Sequence, residues 1–173
     1  MRSTGATRGA EVLVAYESMF GNTAAVASAI ADALATTGLS VDAQRAQQLD
    51  SKALHGRRLV VLGAPTHGFA LPRPLSRRAA GVAPVPGLRE FLATAEAFRQ
   101  SPPAVAAFDV RSAPGEWPTS VAGQLVRRLQ RLGAARVLGA RSFHVERQAG
   151  PLVAGDLERA ASWAHELALT LDH

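Results

Sequence analysis

The chain changes hydrophobic period again and again, from short apolar runs of strand length to stretches of helical spacing, and five such pairs follow one another from end to end. Glu11–Tyr16 is a mostly apolar run that reads as a first strand. Thr23–Thr36 carries Val26, Ile30, Ala33 and Leu34 at helical spacing, and Gly38 stands where a helix stop belongs. Leu39–Arg45 alternates and reads as a second strand, with a short helix expected over Leu49–Leu54. Arg58–Ala64 is the third strand, closed by Gly63 and Pro65. Residues 65–86 form a long irregular stretch with Pro65, Pro72, Pro74, Pro84 and Pro86, and loops of that length are often functional. Gly87–Arg99 is expected to be helical through Leu88, Phe91, Leu92 and Ala95. Pro103–Asp109 is the fourth strand, Ala113–Pro118 a loop and Thr119–Leu132 a helix with Val121, Leu125, Leu129 and Leu132 inward. Ala135–Val145 is the fifth strand and residues 146–155 a Gly/Pro loop. Asp156–Leu171 closes the chain as a helix with Leu157, Ala160, Ala161, Ala164, Ala168 and Leu171 on one face.

Short apolar strands joined by helices imply a parallel sheet covered on both faces, with right-handed crossovers. No linker or low-complexity tract divides the 173 residues, so one domain over 10–173 is expected behind a flexible basic tail over 1–9. A chain of this length buries a core without staples. It has no cysteine, which excludes disulfides, thiolate metal sites, iron–sulfur clusters and thiol redox chemistry. Any redox work therefore requires an organic cofactor. No apolar run reaches membrane-spanning length, and Val12–Ala15 is too short for a signal-peptide core, so a cytoplasmic protein is expected. The net charge is +5, and Lys52 is the only lysine. The arginines are scattered and aromatic residues make up 5%, which argues against nucleic acid. Arg127, Arg128 and Arg131 cluster on one helix, as a solvated face would.

In sheets of this kind ligands sit at the carboxyl ends of the strands, where the winding reverses. Three loops qualify: 17–23, 64–72 and 109–118. The first leads straight into a helix start at Asn22 or Thr23. The amides there lack intrahelical partners and carry partial positive charge, which suits a phosphate. Ser18 and Thr23 add hydroxyls, and Gly21 lets the backbone approach closely or take a positive φ. The residues alone equally allow a plain cap, in which Ser18 or Asn22 closes the helix end.

The run Val12–Thr23, with Ser18, Gly21 and Thr23 in the loop, resembles the FMN phosphate loop of flavodoxins. Phe20 departs from the usual pattern, standing where many of them place a second hydroxyl; the quinone-reductase branch is similar in tolerating an aromatic there. Gly63–Phe69 looks like the Gly-x-Pro-Thr segment that approaches the flavin ring in the same proteins. The resemblance implies a doubly wound α/β fold with a five-stranded parallel sheet of order 2-1-3-4-5. It also implies FMN held by Ser18, Met19, Phe20, Gly21, Asn22 and Thr23, with the ring beside Pro65, Thr66, His67, Gly68 and Phe69. The amides of Thr66 to Phe69 would then face the ring, and His67 or Phe69 would pack on or beside it. Asp109 and Arg111 belong to the third loop, which would border the pyrimidine side. Arg111 there would offset charge on a reduced flavin, or lie solvated. Trp117 stacks on the ring or, more in keeping with Pro118 beside it, staples the next helix.

Other constellations fail. Ser18 is not in a Gly-x-Ser-x-Gly elbow. No lysine precedes Thr23, so the loop is not Walker A. Ala64–Pro65 stands where a phospho-receiver needs aspartate. His144 and Glu146 share a strand side without making a metal site. Trp163 and His165 read as packing or surface residues. Three readings remain open. They are an FMN-binding electron carrier or reductase with an unidentified redox partner, an NAD(P)H:quinone reductase, and a flavin-free interaction module.

Overall fold

Five parallel strands form one sheet in the order β2-β1-β3-β4-β5. The computed structural model describes residues 9–66, 70–83, 85–112 and 120–173. The strands are β1 Val12–Tyr16, β2 Val41–Arg45, β3 Leu59–Pro65, β4 Ala104–Ser112 and β5 Arg136–Val145. The helices are α1 Asn22–Thr36, α2 Pro74–Ala79, α3 Leu88–Thr94, α4 Val121–Arg131 and α5 Asp156–Leu171. The winding reverses beside β1, which pairs with β2 on one side and β3 on the other. This is the expected doubly wound flavodoxin-like fold.

Alternation along the buried strands builds two cores, one on each face of the sheet. Ala104, Ala106, Phe108 and Val110 of β4 join α1 and α5 in one core. Val105 and Ala107 point the other way, against Leu88, Phe91 and Leu92 of α3 and Leu125 and Leu129 of α4. Phe108 is wholly buried, and its ring lies across Gly63, its register partner on β3. A Cβ on Gly63 would stand 2.0 Å from Phe108 Cζ, so only glycine fits there. Phe143 meets Phe108 edge-on at 6.0 Å and Trp163 at 6.2 Å, which fixes α5 against β5. Trp163 is thus a core residue, while His165 Nε2 lies 3.1 Å from Thr36 Oγ1.

Five local expectations are corrected. The helix expected over Gly87–Arg99 spans only Leu88–Thr94. Beyond it the backbone bonds elsewhere, Glu96 N–H to Ser51 O and Phe98 N–H to Leu132 O, and those tertiary bonds win over helix continuation. The short helix expected at Leu49–Leu54 is a 3-10 turn at Ala46–Gln48 followed by turns. The long stretch after β3 contains α2, opened by Pro74 at a helix-compatible first position. β4 continues to Ser112 because β5 keeps pairing with it, Arg111 with His144 and Ser112 with Val145. Asp109 and Arg111 therefore lie on a strand and not in a loop. In α5 the inward position of the first turn belongs to Asp156, and Leu157 is exposed.

Candidate functional site

A cleft opens at the carboxyl edge of the sheet, beside the reversal of the winding. Met19, Phe20, Asn22, Thr23, Pro65, Thr66, Val110, Arg111, Ser112, Val145 and Gln148 line it. The loop after β1, the end of β3 and the end of β4 thus converge as the strand order requires. The end of β5 contributes Val145 and the loop after it Gln148, which the sequence reading did not single out.

The first loop takes its shape from two residues. Gly21 adopts φ +89°, a left-handed conformation that other residues reach at a cost, and nothing crowds its open side. Ser18 Oγ accepts hydrogen bonds from the amides of Gly21 and Ala24, each at 3.2 Å. Gly21 is the N-cap residue of α1, and the side chain that closes its first turn is that of Ser18, not of Asn22. Among the described residues, no hydrogen bond takes the N–H of Asn22 or Thr23. Both residues line the cleft, and Thr23 is 2% exposed. Phe20 is 40% exposed at the mouth. The loop after β5 closes on the same place: a Cβ on Gly150 would stand 2.8 Å from Asn22 Oδ1.

The second and third segments differ from expectation in detail. Thr66 N–H donates to Val110 O at 2.9 Å within the sheet, so that amide is not available to a ligand. The Thr66 hydroxyl is instead a buried group without a partner among the described residues, and so is Arg111 Nε. Both residues line the cleft. Asp109 is fully buried and does not. Its Oδ2 accepts from the Ser120 hydroxyl at 3.0 Å and from Ala122 N–H at 2.9 Å, so it closes the start of α4. His67, Gly68, Phe69 and Trp117 lie outside the described residues. His144 hydrogen-bonds through its N–H to Asp156 Oδ2 at 2.6 Å, and among the described residues no cluster of His, Asp and Glu suits a metal ion.

The feature that sequence reasoning missed lies directly beneath the first loop. Glu17, the residue before Ser18, is buried and forms a two-point ion pair with buried Arg77 of α2, at 2.5 Å and 3.2 Å. Glu17 Oε2 also accepts from Leu88 N–H at 3.1 Å. Arg77 reaches Glu90 at 2.9 Å and donates to Pro72 O at 3.2 Å. Arg89 Nη2 donates to Leu71 O at 2.9 Å. One charged network therefore ties the first loop to the segment that follows the second. Burial works against the Arg77 charge, but hydrogen bonds and attraction from Glu17 and Glu90 outweigh it and raise its pKa. Burial likewise opposes ionisation of Glu90, and the bonds from Arg77 and Gly87 N–H outweigh it, holding that carboxyl below the ordinary range. Gly87 exists for this network: a Cβ there would stand 2.1 Å from Arg77 Nη2 and 2.2 Å from Glu17 Oε2.

The sheet order and the cleft at its reversal are those of a flavodoxin-like fold. Residues 14–79 match the flavodoxin family, a span that holds the first loop, β3 and α2. Among solved structures the chain is similar to oxidised Flavodoxin 2 from Bacillus cereus, at 23% identity and a TM-score of 0.67, covering 93% of this chain and 99% of that one. Flavodoxin 1 from the same organism is similar at 20% identity and 0.67, covering 91% and 97%. The Flv1 flavodiiron core from Synechocystis sp. PCC6803 is similar at 21% identity and 0.62, covering 96% of this chain and 37% of that one. Curated protein sequences give no match. Among the described residues no helix is long and apolar enough to cross a membrane.

Proposed function

We propose that this chain binds FMN without a covalent bond and acts in electron transfer or small-molecule redox chemistry. The observation that carries the reading is one cleft with two kinds of unmet hydrogen-bonding capacity. Among the described residues no hydrogen bond takes the amides of Asn22 and Thr23 at the N-terminus of α1, and the buried Thr66 hydroxyl, on a residue lining the same cleft, has no partner. The first suits a phosphate and the second a polar edge of the same ligand. Ser18 and Gly21 hold the loop that presents those amides, and Met19 and Phe20 supply apolar cover. Pro65 and Thr66 form the β3 side, with His67, Gly68 and Phe69 following in sequence. Arg111 brings a cation to the β4 side. Asp109 acts through α4, whose start it fixes.

When bound, FMN supplies hydride or single-electron chemistry, so no side chain need act as acid or base. The chain's own part is to bind the phosphate, exclude water and set the electrostatics around the ring. The absorbance spectrum of the purified protein tests the reading: maxima in the flavin region are expected, and a colourless protein that stays so after incubation with FMN would refute it. Bleaching of the bound flavin by NADPH would assign it to the reductase class; reduction only by a protein partner would make it a carrier.

A further inference from the structure

Arg111 is the only charged residue among the described residues that line the cleft. It forms no ion pair among the described residues, and its Nε is buried without a hydrogen-bond partner. Glu17, at the start of the first loop, is matched by Arg77. Asp109, two residues before Arg111 on β4, turns its Oδ2 to the start of α4. Among the described residues, the cleft wall therefore carries one positive charge and no negative one.

The fold keeps that charge away from the amides that suit a phosphate. Asn22 and Thr23 start α1, which follows β1 and packs with Val110 on one face of the sheet. Arg111 is on β4, with β3 between it and β1, and two strand spacings amount to about 10 Å. Alternation along β4 also turns Arg111 away from the face that Val110 joins. Its neighbour is Thr66 instead. Pro65 pairs with Val110, so Thr66 stands level with Arg111, about one strand spacing away. The Thr66 hydroxyl and Arg111 Nε are both buried and both without a partner among the described residues. Buried polar groups left open in this way call for polar atoms of a ligand. Both can donate, so together they suit an edge of carbonyl oxygens and imine nitrogens. The pyrimidine edge of a flavin is such an edge. It is also where negative charge gathers on reduction. A hydride adds at N5, bringing two electrons and one proton, and the ring becomes an anion with its charge spread over N1 and the adjacent carbonyl. The donor, a reduced nicotinamide, leaves oxidised.

We propose that Arg111 makes this cleft hold the reduced, anionic ring more tightly than the oxidised one, which suits a chain that accepts hydride rather than one that passes on single electrons. The inference rests on the FMN reading. A unit charge about 7–10 Å away, at an effective dielectric constant of about 20, is worth about 15- to 60-fold in binding, and Asp109 reduces that. The test compares binding of oxidised FMN and of dithionite-reduced FMN to the full apo-chain, without oxygen, at a mildly alkaline pH where the free reduced ring is anionic. Wild type should bind the reduced form at least about tenfold more tightly, which raises the two-electron potential of the bound flavin by about 30 mV. Arg111→Gln should bring the two affinities within about threefold of each other, and Arg111→Lys should keep most of the preference. Arg127→Gln makes the same change in net charge at an exposed position of α4 and should leave the preference intact. Tighter binding of the oxidised form by wild type, or a preference that survives Arg111→Gln, would overturn the proposal and leave the FMN reading standing. So would a loss in Arg111→Gln that is equal for both redox forms of FMN and absent for riboflavin, because the arginine would then be holding the phosphate. Binding of neither form would overturn both readings.

Discussion

Arg77→Met removes the cation at the centre of the buried network while keeping most of its apolar stem. The structure sets the size of the effect. Arg77 is 3% exposed, and its removal leaves the Glu17 carboxylate buried against Leu88 N–H with no positive partner. Breaking a buried pair on one side costs about 3–5 kcal/mol. That is a large part of the roughly 5–15 kcal/mol that holds a domain folded. At about 2–4 °C per kcal/mol for a chain of this size, the melting temperature should fall by roughly 6–20 °C. Glu17→Gln in the same molecule removes the stranded charge but keeps an acceptor for Leu88 N–H, so the double variant should recover at least about 1 kcal/mol. Urea denaturation of wild type, both single variants and the double variant measures the cycle. The network should also hold the first loop, so hydrogen exchange in residues 18–24 should speed up more than in β3. A loss below about 1 kcal/mol for Arg77→Met, or a double variant no better than the single one, would refute the reasoning.

Further outcomes follow from the same contacts. Gly87→Ala forces a Cβ into Arg77 and Glu17 and should cost at least about 1–3 kcal/mol, with much of that cost disappearing in an Arg77→Met background. Gly63→Ala drives a Cβ into the Phe108 ring; denaturation should show a comparable or larger loss, partly relieved by Phe108→Leu. Ser18→Ala removes the acceptor for Gly21 and Ala24 N–H and should cost about 0.5–2 kcal/mol by the same assay. Glu90 titrates below the ordinary glutamate value in the folded chain, so its contribution is complete above about pH 4.3 and is lost as pH falls through the lower folded value. Urea midpoints measured down that window should drop less steeply for Glu90→Gln than for wild type.

The order of elements was readable because buried parallel strands leave short apolar runs and their covering helices leave a 3.6-residue rhythm. The first loop was readable for a local reason: Ser18, Gly21 and Thr23 sit between a strand and a helix start, and the structure places their loop at the cleft. What the sequence hid depends on distant partners. Arg77 lies 60 residues from Glu17, and nothing in the local pattern of either marks a buried ion pair. Gly87 gives a hint only in retrospect, since its need for glycine comes from those two side chains. The early end of α3 is set by Ser51 and Leu132, and the extension of β4 by its pairing with β5. That extension moved Asp109 from a ligand loop to the buried start of α4. It also left Arg111 at the cleft, on a strand.

The central claim is that the amides at the start of α1 recognise a phosphate. Titration of the apo-protein with FMN and, separately, with riboflavin tests it most directly, because the two ligands differ only in that group. Fluorescence quenching should show one FMN bound with a dissociation constant at or below the micromolar range, and riboflavin bound at least about tenfold more weakly. Equal affinity for the two, or no binding of FMN at tens of micromolar, would contradict the account.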